Sequence, residues 1–523
     1  MFKPSRFTPA MPRMALSALL GAVSLLALGT DASAQKAKDT GRVALSQPIR
    51  LIDALHNPNP ESNLLDRVVM DALLSYDTVN RKVAGQLADS WKQVDDKTIE
   101  LTLRQGVKWH DGQPVTMDDV MYTFDYVLDP KVTFLFKDTR FDWIAKVEKV
   151  NDRTFRVIAK DVIATGMTRM TSTPPILPAH VHGKLETKAE FGRKPIGTGP
   201  YKVASLENNT VILQKNTDYN WGGAEPVGKI GRFEVTSIPD AQTQIAKIMV
   251  GELDLVFHLD FEQAKSLQAN PNVIMTSAPS ISFSYIYFDV ADRSGIKVFK
   301  DKRVREALLL AIDREGMRKA FLPKEFSDKP AQEAMCHSWH IGCVSTLKAP
   351  AYDPAKAKAL LKEAGLENGF DLELLTWGQS RPIAEAVAGD LRKVGIRATV
   401  DAGTVNVFQK KRGDGKSQTM VTLWDNGGGQ PDVDNTTQFL FSDSSRNYSG
   451  DADLIKWTDE GQRTLDLKKR EAIYTQLFDK VIRERYGMPL VELPAINVQN
   501  KDLVIDYNHT KPEGFMFNRL SWK

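Results

Sequence analysis

Between Asp353 and Val400 the chain alternates helix and strand patterns with a stop after each helix, which leaves few architectures open to it. Asp353-Pro354 opens a helix, because Asp accepts from the free amides of a first turn and Pro has no amide to lose. Ala357, Leu360, Leu361 and Ala364 recur at helical spacing as its buried stripe, and Gly365 ends it. A strand follows at Leu372 to Leu375, then a helix on Ile383, Val387, Leu391 and Val394 stopped by Gly395, then a strand from Ile396 to Val400. Such units place helices on the faces of a parallel sheet, so this stretch predicts an α/β lobe.

The first residues predict an export signal. Lys3, Arg6 and Arg13 precede an apolar stretch from Ala15 to Leu28, and Ala32-Ser33-Ala34 forms a cleavage site, which puts the mature start at Gln35. That stretch is shorter than the roughly 20 apolar residues a membrane span needs, and no Cys near the site offers a thiol for a lipid. A free periplasmic protein is the expectation. The formal net charge is +3, of which the leader carries +2, so the rest is close to neutral. Nucleic-acid binding needs clustered cations, and the tightest run is Lys410-Lys411-Arg412, beside Gly413-Asp414-Gly415-Lys416, which reads as a solvated loop. A mature chain of this length exceeds one ordinary core and divides into lobes.

Earlier in the chain, Leu64, Leu65, Val68, Val69, Ala72 and Leu73 repeat at helical spacing, with Ser62 or Asn63 as the cap. Ile99, Leu101 and Leu103 alternate with polar neighbours, which predicts a half-buried strand ending at Gln105-Gly106. Thr116 and Asp119 form a capping box ahead of Val120, Phe124 and Val127. Long Pro- or Ser-rich linkers are absent from the sequence, so the lobes are expected to join through short strand crossings.

A set of short motifs then occurs in a fixed order. They are Leu87-Ala88-Asp89-Ser90-Trp91; Leu103-Arg104-Gln105-Gly106-Val107-Lys108-Trp109-His110-Asp111-Gly112-Gln113-Pro114, with Asp118-Asp119-Val120 after it; Pro195-Ile196-Gly197-Thr198-Gly199-Pro200-Tyr201; Gly251-Glu252-Leu253-Asp254; and Arg303-Val304-Arg305-Glu306-Ala307-Leu308 running on to Ala311-Ile312-Asp313-Arg314. In this order they resemble the large extracytoplasmic solute-binding proteins of the peptide/nickel (dipeptide/oligopeptide-binding) class that serve ABC importers. Asp111-Gly112 and Gly197-Thr198-Gly199-Pro200 also read as turns, since Gly reaches positive φ and Pro fixes the next bend, and His110 reads as structural.

The resemblance implies an α/β fold of the type II periplasmic binding protein kind: two hinged α/β lobes plus an extra domain. Residues 1–34 would be the signal; 35–74, 193–284 and 498–523 a discontinuous first lobe; 75–192 the extra domain; and 285–497 the second lobe. It further implies capture of a small polar solute, a short peptide or an amino-acid-derived, opine-like compound, for an ABC permease in the inner membrane. No cofactor or metal is expected, and a monomer is the default because no coiled-coil repeat occurs.

A pocket that takes such a ligand out of water needs aromatic walls and a few fixed polar groups. Trp424 heads the best segment, Leu423-Trp424-Asp425-Asn426-Gly427-Gly428-Gly429-Gln430-Pro431-Asp432-Val433-Asp434-Asn435. In peptide-binding relatives a Trp followed by a Gly- and Asp-bearing loop supplies an acid for the ligand's amino group. Here three glycines and Gln430 replace a single clear Asp, so Asp425 or Asp432 is the acid, or the stretch is a solvated inter-lobe loop. Arg381, after Trp377-Gly378-Gln379-Ser380 at a strand exit, offers a guanidinium to a ligand carboxylate; the alternative is a surface Arg at the next helix. Tyr285 and Tyr287 share one strand face at the lobe crossing and either line the cleft or pack the hinge.

Cys336 and Cys343 bracket a loop containing His337 and His340. In an oxidising compartment they are expected to form a disulfide, contributing about 2 to 3 kcal/mol through the unfolded chain; a Cys2His2 metal site is the alternative, at a spacing too compact for the usual finger. A Gly-x-Ser-x-Gly elbow and a His-Glu-x-x-His helix, signs of a secreted hydrolase, do not occur. Within the same fold a sugar, metal chelate or haem-like cargo remains open, and a periplasmic sensor or chaperone subunit is the reading from another class.

Overall fold

The computed structural model describes residues 39–507 and 515–523, apart from positions 58, 78–79, 81, 135–136, 172, 223–225, 258, 339 and 425–431. The expected signal and cleavage site at 1–34, and Asp425, lie outside the described residues. No helix among those described is long and apolar enough to cross a membrane.

One ten-stranded sheet spans both lobes. Its order is Arg397–Gly403, Asp371–Trp377, Thr419–Trp424, Val273–Phe288, Gly487–Asn500, Leu255–Phe257, Thr40–Leu45, Arg232–Ser237, Thr210–Lys215 and Tyr201–Glu207. The first two pair in parallel, as do Asp371–Trp377 and Thr419–Trp424, because helices return the chain between them. Two long central strands carry the sheet from one lobe to the other. Residues 273–278 of the first oppose 500–495 of the second beside Leu255–Phe257, whereas residues 283–287 oppose 492–487, and 283–288 pair with Thr419–Trp424. Between Ala278 and Ser282 the register shifts, Ser280 Oγ donates to the Leu493 carbonyl, and Ser282 N–H donates to Ser280 Oγ. A bulge loosens and bends a ladder, so it localises the bend between lobes. The sequence places the crossing at 284/285 and 497/498; the change of strand neighbours falls a few residues earlier on both strands.

The buried clusters divide at the same place. Two draw on residues 43 to 273 and 498 to 520, and two on residues 283 to 491. A four-stranded sheet, Ala88–Asp95, Thr98–Leu103, Thr154–Ala159 and Ile144–Lys149 in order, belongs to the expected extra domain. Its Leu101 and Phe155 pack in one continuous core with Val43 and Phe233, so it enlarges the first lobe and has no separate core of its own.

Local chemistry accounts for most elements. Asp353 Oδ1 accepts from Lys356 N and Pro354 is the first helical residue of Pro354–Glu363; Gly365 and Gly395 have φ of +73° and +94° after the two helices. Thr116 caps Met117–Leu128 through a capping box with Asp119. The first helix differs from expectation. It is Pro60–Val69, capped by Asn59, whose side chain accepts from Glu61 N, so Ser62 and Asn63 are helical residues. Ala72 and Leu73 follow its end and are buried in extended chain, since a spacing of four continues across a break that apolar pattern alone does not show. The Lys410-Lys411-Arg412 run is likewise no loop. It forms the last turn of Val405–Gly413, with Lys410 and Lys411 paired to Asp414 and Asp401 and Arg412 turned fully inward.

Gly197 and Gly199 are needed for close approach and not for positive φ. A Cβ on Gly197 would lie 1.8 Å from the Val69 carbonyl oxygen, the oxygen that accepts from Gly199 N at 2.9 Å. His110 locks the same turn, its Nδ1 accepting from Gly197 N and its Nε2 donating to the Gly199 carbonyl, which fixes one neutral tautomer. Burial pushes this imidazole down to about 4.

Candidate functional site

The parallel strands of the second lobe end at Trp377, Gly403 and Trp424, and Trp424 lies opposite Phe283 at the inter-lobe crossing. These carboxyl ends face the cleft between lobes, the position where α/β sheets present ligand groups. Along this sheet face Phe283, Tyr285, Tyr287, Thr422 and Trp424 alternate inward, and Trp377 packs against the same cluster.

The structure separates the candidate residues into distinct environments. Trp424 is buried, its ring 4.4 Å from that of Phe439, and its Nε1 has no hydrogen-bond partner among the described residues. Tyr285 is buried opposite Thr422. Tyr287 is committed to packing, because its hydroxyl bonds Asn447 Oδ1 and accepts from Tyr448 N and Ser449 N. Arg381 stands at the start of the helix Arg381–Lys393, its side chain 62% exposed and its Nε 3.5 Å from Glu385. The preceding Ser380 is buried, and its Oγ accepts from Leu423 N, tying the Trp377 turn to the Trp424 strand.

Asp432 is enclosed. Both its carboxylate oxygens accept from Arg470 at 2.5 Å, and Oδ1 also accepts from Asp434 N. Burial opposes ionisation of both partners, but the bidentate bonds and charge of Asp432 raise the Arg470 guanidinium, so the pair stays charged. Asp432 holds the loop end in place with no oxygen turned to the cleft. The bridge Ile341 to Asp432 brings in the loop closed by the Cys336–Cys343 disulfide, whose Cα atoms are 5.8 Å apart. The disulfide consumes both thiols that a Cys2His2 site would use.

Asp434, two residues on, reaches the other side of the cleft. It accepts from Arg169 Nη2 at 3.0 Å, Thr165 Oγ1 at 3.3 Å and Tyr474 OH at 3.3 Å. Arg169 and Thr165 belong to the segment expected as the extra domain, on the side of the first lobe's core. Nearby, Ala164 N–H donates to the Gln462 carbonyl and Arg463 pairs with Asp161 at 3.0 Å. A clasp of four links therefore holds the extra domain against the second lobe with the cleft shut. Sequence reasoning missed Arg169 and Asp434, since nothing in the local pattern around Arg169 distinguishes it from other helix-end cations. It also missed Arg412, Phe439 and Arg446; the one available signal was that Phe408 and Arg412, four apart on a helix, share a face.

Two lobes joined by a pair of bulged strands and clasped to each other through Asp434 form a hinged protein. The chain belongs to the bacterial extracellular solute-binding proteins, family 5, whose middle region matches residues 82–448. Its members are named for solute binding and not for catalysis. The chain is 27% identical over 443 residues to the "Di/tripeptide-binding protein 1" of Pseudomonas aeruginosa (strain UCBPP-PA14), covering 78% of this chain and 80% of that one. Its fold matches the ABC transporter-associated periplasmic binding protein DppA from Helicobacter pylori in complex with peptide STSA, with a TM-score of 0.77 at 22% identity over 93% of this chain and 99% of that one. The binding protein AgaA of A. tumefaciens R10, in complex with agropinic acid, matches with a TM-score of 0.75 at 22% identity over 92% and 99%.

Proposed function

We propose that the protein is the periplasmic cargo-capturing component of an ABC importer, taking up short peptides or opine-like amino-acid conjugates. The observation that carries this reading is the joint presence of a two-strand, bulged crossing and a clasp on Asp434 that ties the two sides of the crossing together. Those parts support closure around a cargo and release on opening. The named relatives support the cargo class: one is called a di/tripeptide-binding protein, and neighbours in fold hold a peptide and agropinic acid. Export through a cleaved leader at residues 1–34, monomeric action and a permease partner belong to the same proposal.

Asp432 is occupied by Arg470, so the acid for a ligand amino group falls to Asp425, with Arg381 free to swing from Glu385 toward a ligand carboxylate. Thermal unfolding of the mature protein against di- and tripeptides, amino-acid conjugates, sugars and metal chelates tests the reading. Linkage predicts a stabilisation of about 2.7 kcal/mol at a hundredfold excess over Kd. Midpoint rises confined to peptides or conjugates support it. Rises with sugars or chelates alone overturn the cargo class, and silence throughout favours a sensor or chaperone role.

A further inference from the structure

Glu492 lies on the long strand Gly487–Asn500, beside Leu493, whose carbonyl takes the Ser280 hydroxyl at the bulge. It stands opposite Phe283, so its side chain rises from the sheet face that carries Trp424 and packs with Val433. Val433 leads into Asp434 and its bond to Arg169, so this is the side of the crossing on which the two lobes are clasped. Here the Glu492 side chain is 30% exposed. Its Oε1 accepts from Ser338 N at 3.1 Å and from Ser338 Oγ at 2.9 Å, and His337 Nε2 approaches the same oxygen at 3.6 Å. Its Oε2 accepts no hydrogen bond among the described residues, and no lysine or arginine among them pairs with it.

Ser338 is held where it is. The disulfide closes residues 336–343 into a short loop, Gln332 Nε2 donates to the Cys336 carbonyl, and Val433 N donates to the Ile341 carbonyl at 3.0 Å. A carboxylate fixed through one oxygen by neutral donors has no counter-ion of its own and leaves the other oxygen open to a ligand. The nearby imidazoles supply no compensating charge at neutral pH. Burial lowers both, His340 to about 3, and the two ring nitrogens of His340 are buried without partners among the described residues. What this group lacks is a cation, and an ammonium or guanidinium meets a fixed carboxylate oxygen with a short, charge-assisted hydrogen bond.

We propose that Glu492, oriented by Ser338 of the disulfide loop, is a cargo contact at the hinge and receives a cationic group of the cargo. The inference rests on the cargo-binding reading above and specifies its chemistry: a ligand with an ammonium or guanidinium seated at the crossing strands. A peptide's terminal ammonium and a basic side chain share this chemistry.

The experiment is calorimetric titration of the mature protein with Ala-Lys, with Ala-norleucine, which lacks the side-chain charge, and with N-acetyl-Ala-Lys, which lacks the terminal one. We expect Ala-Lys to bind about tenfold to a hundredfold tighter than at least one of the other two, the range of a hydrogen bond to a charged group. In Glu492→Gln, which keeps an oxygen for Ser338 and removes the charge, that ratio falls toward one. Ser338→Ala, which frees the carboxylate to turn, reduces the same ratio in part and serves where the first variant fails to fold. Collapse of the ratio to Ala-norleucine identifies a basic side chain as the group bound, and collapse of the ratio to N-acetyl-Ala-Lys the terminal ammonium. Equal binding of all three probes, or ratios in Glu492→Gln unchanged from those of the unaltered protein, overturns the contact and leaves the import reading standing. Silence with every probe overturns the contact and the peptide cargo together.

Discussion

Asp432 and Arg470 share two hydrogen bonds where both side chains are about 5% exposed, so each is the other's replacement for water. Removing one partner strands a buried charge, a loss of roughly 3 to 5 kcal/mol, whereas replacing both with apolar residues of similar volume is far milder. Asp432→Leu is therefore expected to lower stability by about that amount in urea unfolding, and Asp432→Leu with Arg470→Met by much less. A loss below about 1 kcal/mol in the single variant would return Asp432 to the list of ligand groups. Buried imidazoles set the pH response. Burial holds His110 and His182 at about 4 and His340 at about 3, against 6.5 when unfolded. Between pH 6.5 and 4 the unfolded chain thus binds three protons there that the native one does not. Asp66 acts oppositely, because burial and then the charge of Asp53 raise it to about 7, so the native state holds one extra proton over that range. The balance of these four groups is two protons toward the unfolded state, about 2.7 kcal/mol of stability per pH unit on acidification from 6.5, with His337, lowered by burial, adding to it and Asp432, raised by burial, opposing it. Thermal midpoints equal at pH 5 and pH 7 would contradict this; His340→Phe should flatten the slope by about half.

Gly197 and Gly199 show what an element demands that its own sequence does not announce. The turn they form is legible from Gly-Thr-Gly-Pro, but the reason for glycine is the end of a helix more than a hundred residues away, pressed against it through Val68 and Val69. Gly197→Ala is expected to cost about 2 to 5 kcal/mol, as overpacking against unyielding backbone does, with a matching fall in the denaturation midpoint. Serine in the same place should be no better. The alternating stretch from Asp353 to Val400 was legible in type and order, with strand ends displaced by up to three residues, because caps, stripes and glycine stops are local signals that agree with one another. The segment around Asn59 was less so, since several polar residues in a row can each cap and only tertiary packing selects among them. At the site, the disulfide was readable from residue type and spacing. The buried side of Arg412 was not, because a run of three cations looks solvated until the Phe439 ring and the tyrosines beside it are placed in space.

Closure of the whole molecule depends on contacts that neither half makes alone. The crossing strands permit a bend at the Ala278–Ser282 bulge, and the clasp decides which side of the bend is occupied. Arg169 and Asp434 are 10% and 1% exposed in the closed form and lie on different lobes, so opening must hydrate both. An ion pair gained only on closure shifts the open–closed balance by its differential free energy; at about 1 to 3 kcal/mol this is a factor of roughly 5 to 150. Arg169→Ala is therefore expected to raise the radius of gyration of the unliganded protein in small-angle scattering. It should also speed amide exchange across residues 161–169, with little change in the exchange of the four-stranded sheet behind them. Asp434→Ala should match it, and the charge-swapped pair Arg169→Asp with Asp434→Arg should recover part of the closed population. The Thr165 and Tyr474 hydroxyls make the recovery incomplete, since both donate to the carboxylate that the swap moves across the cleft. If scattering from Arg169→Ala is unchanged, the remaining links, Ala164 to Gln462 and Asp161 to Arg463, hold the lobes together and the buried ion pair only sets their register.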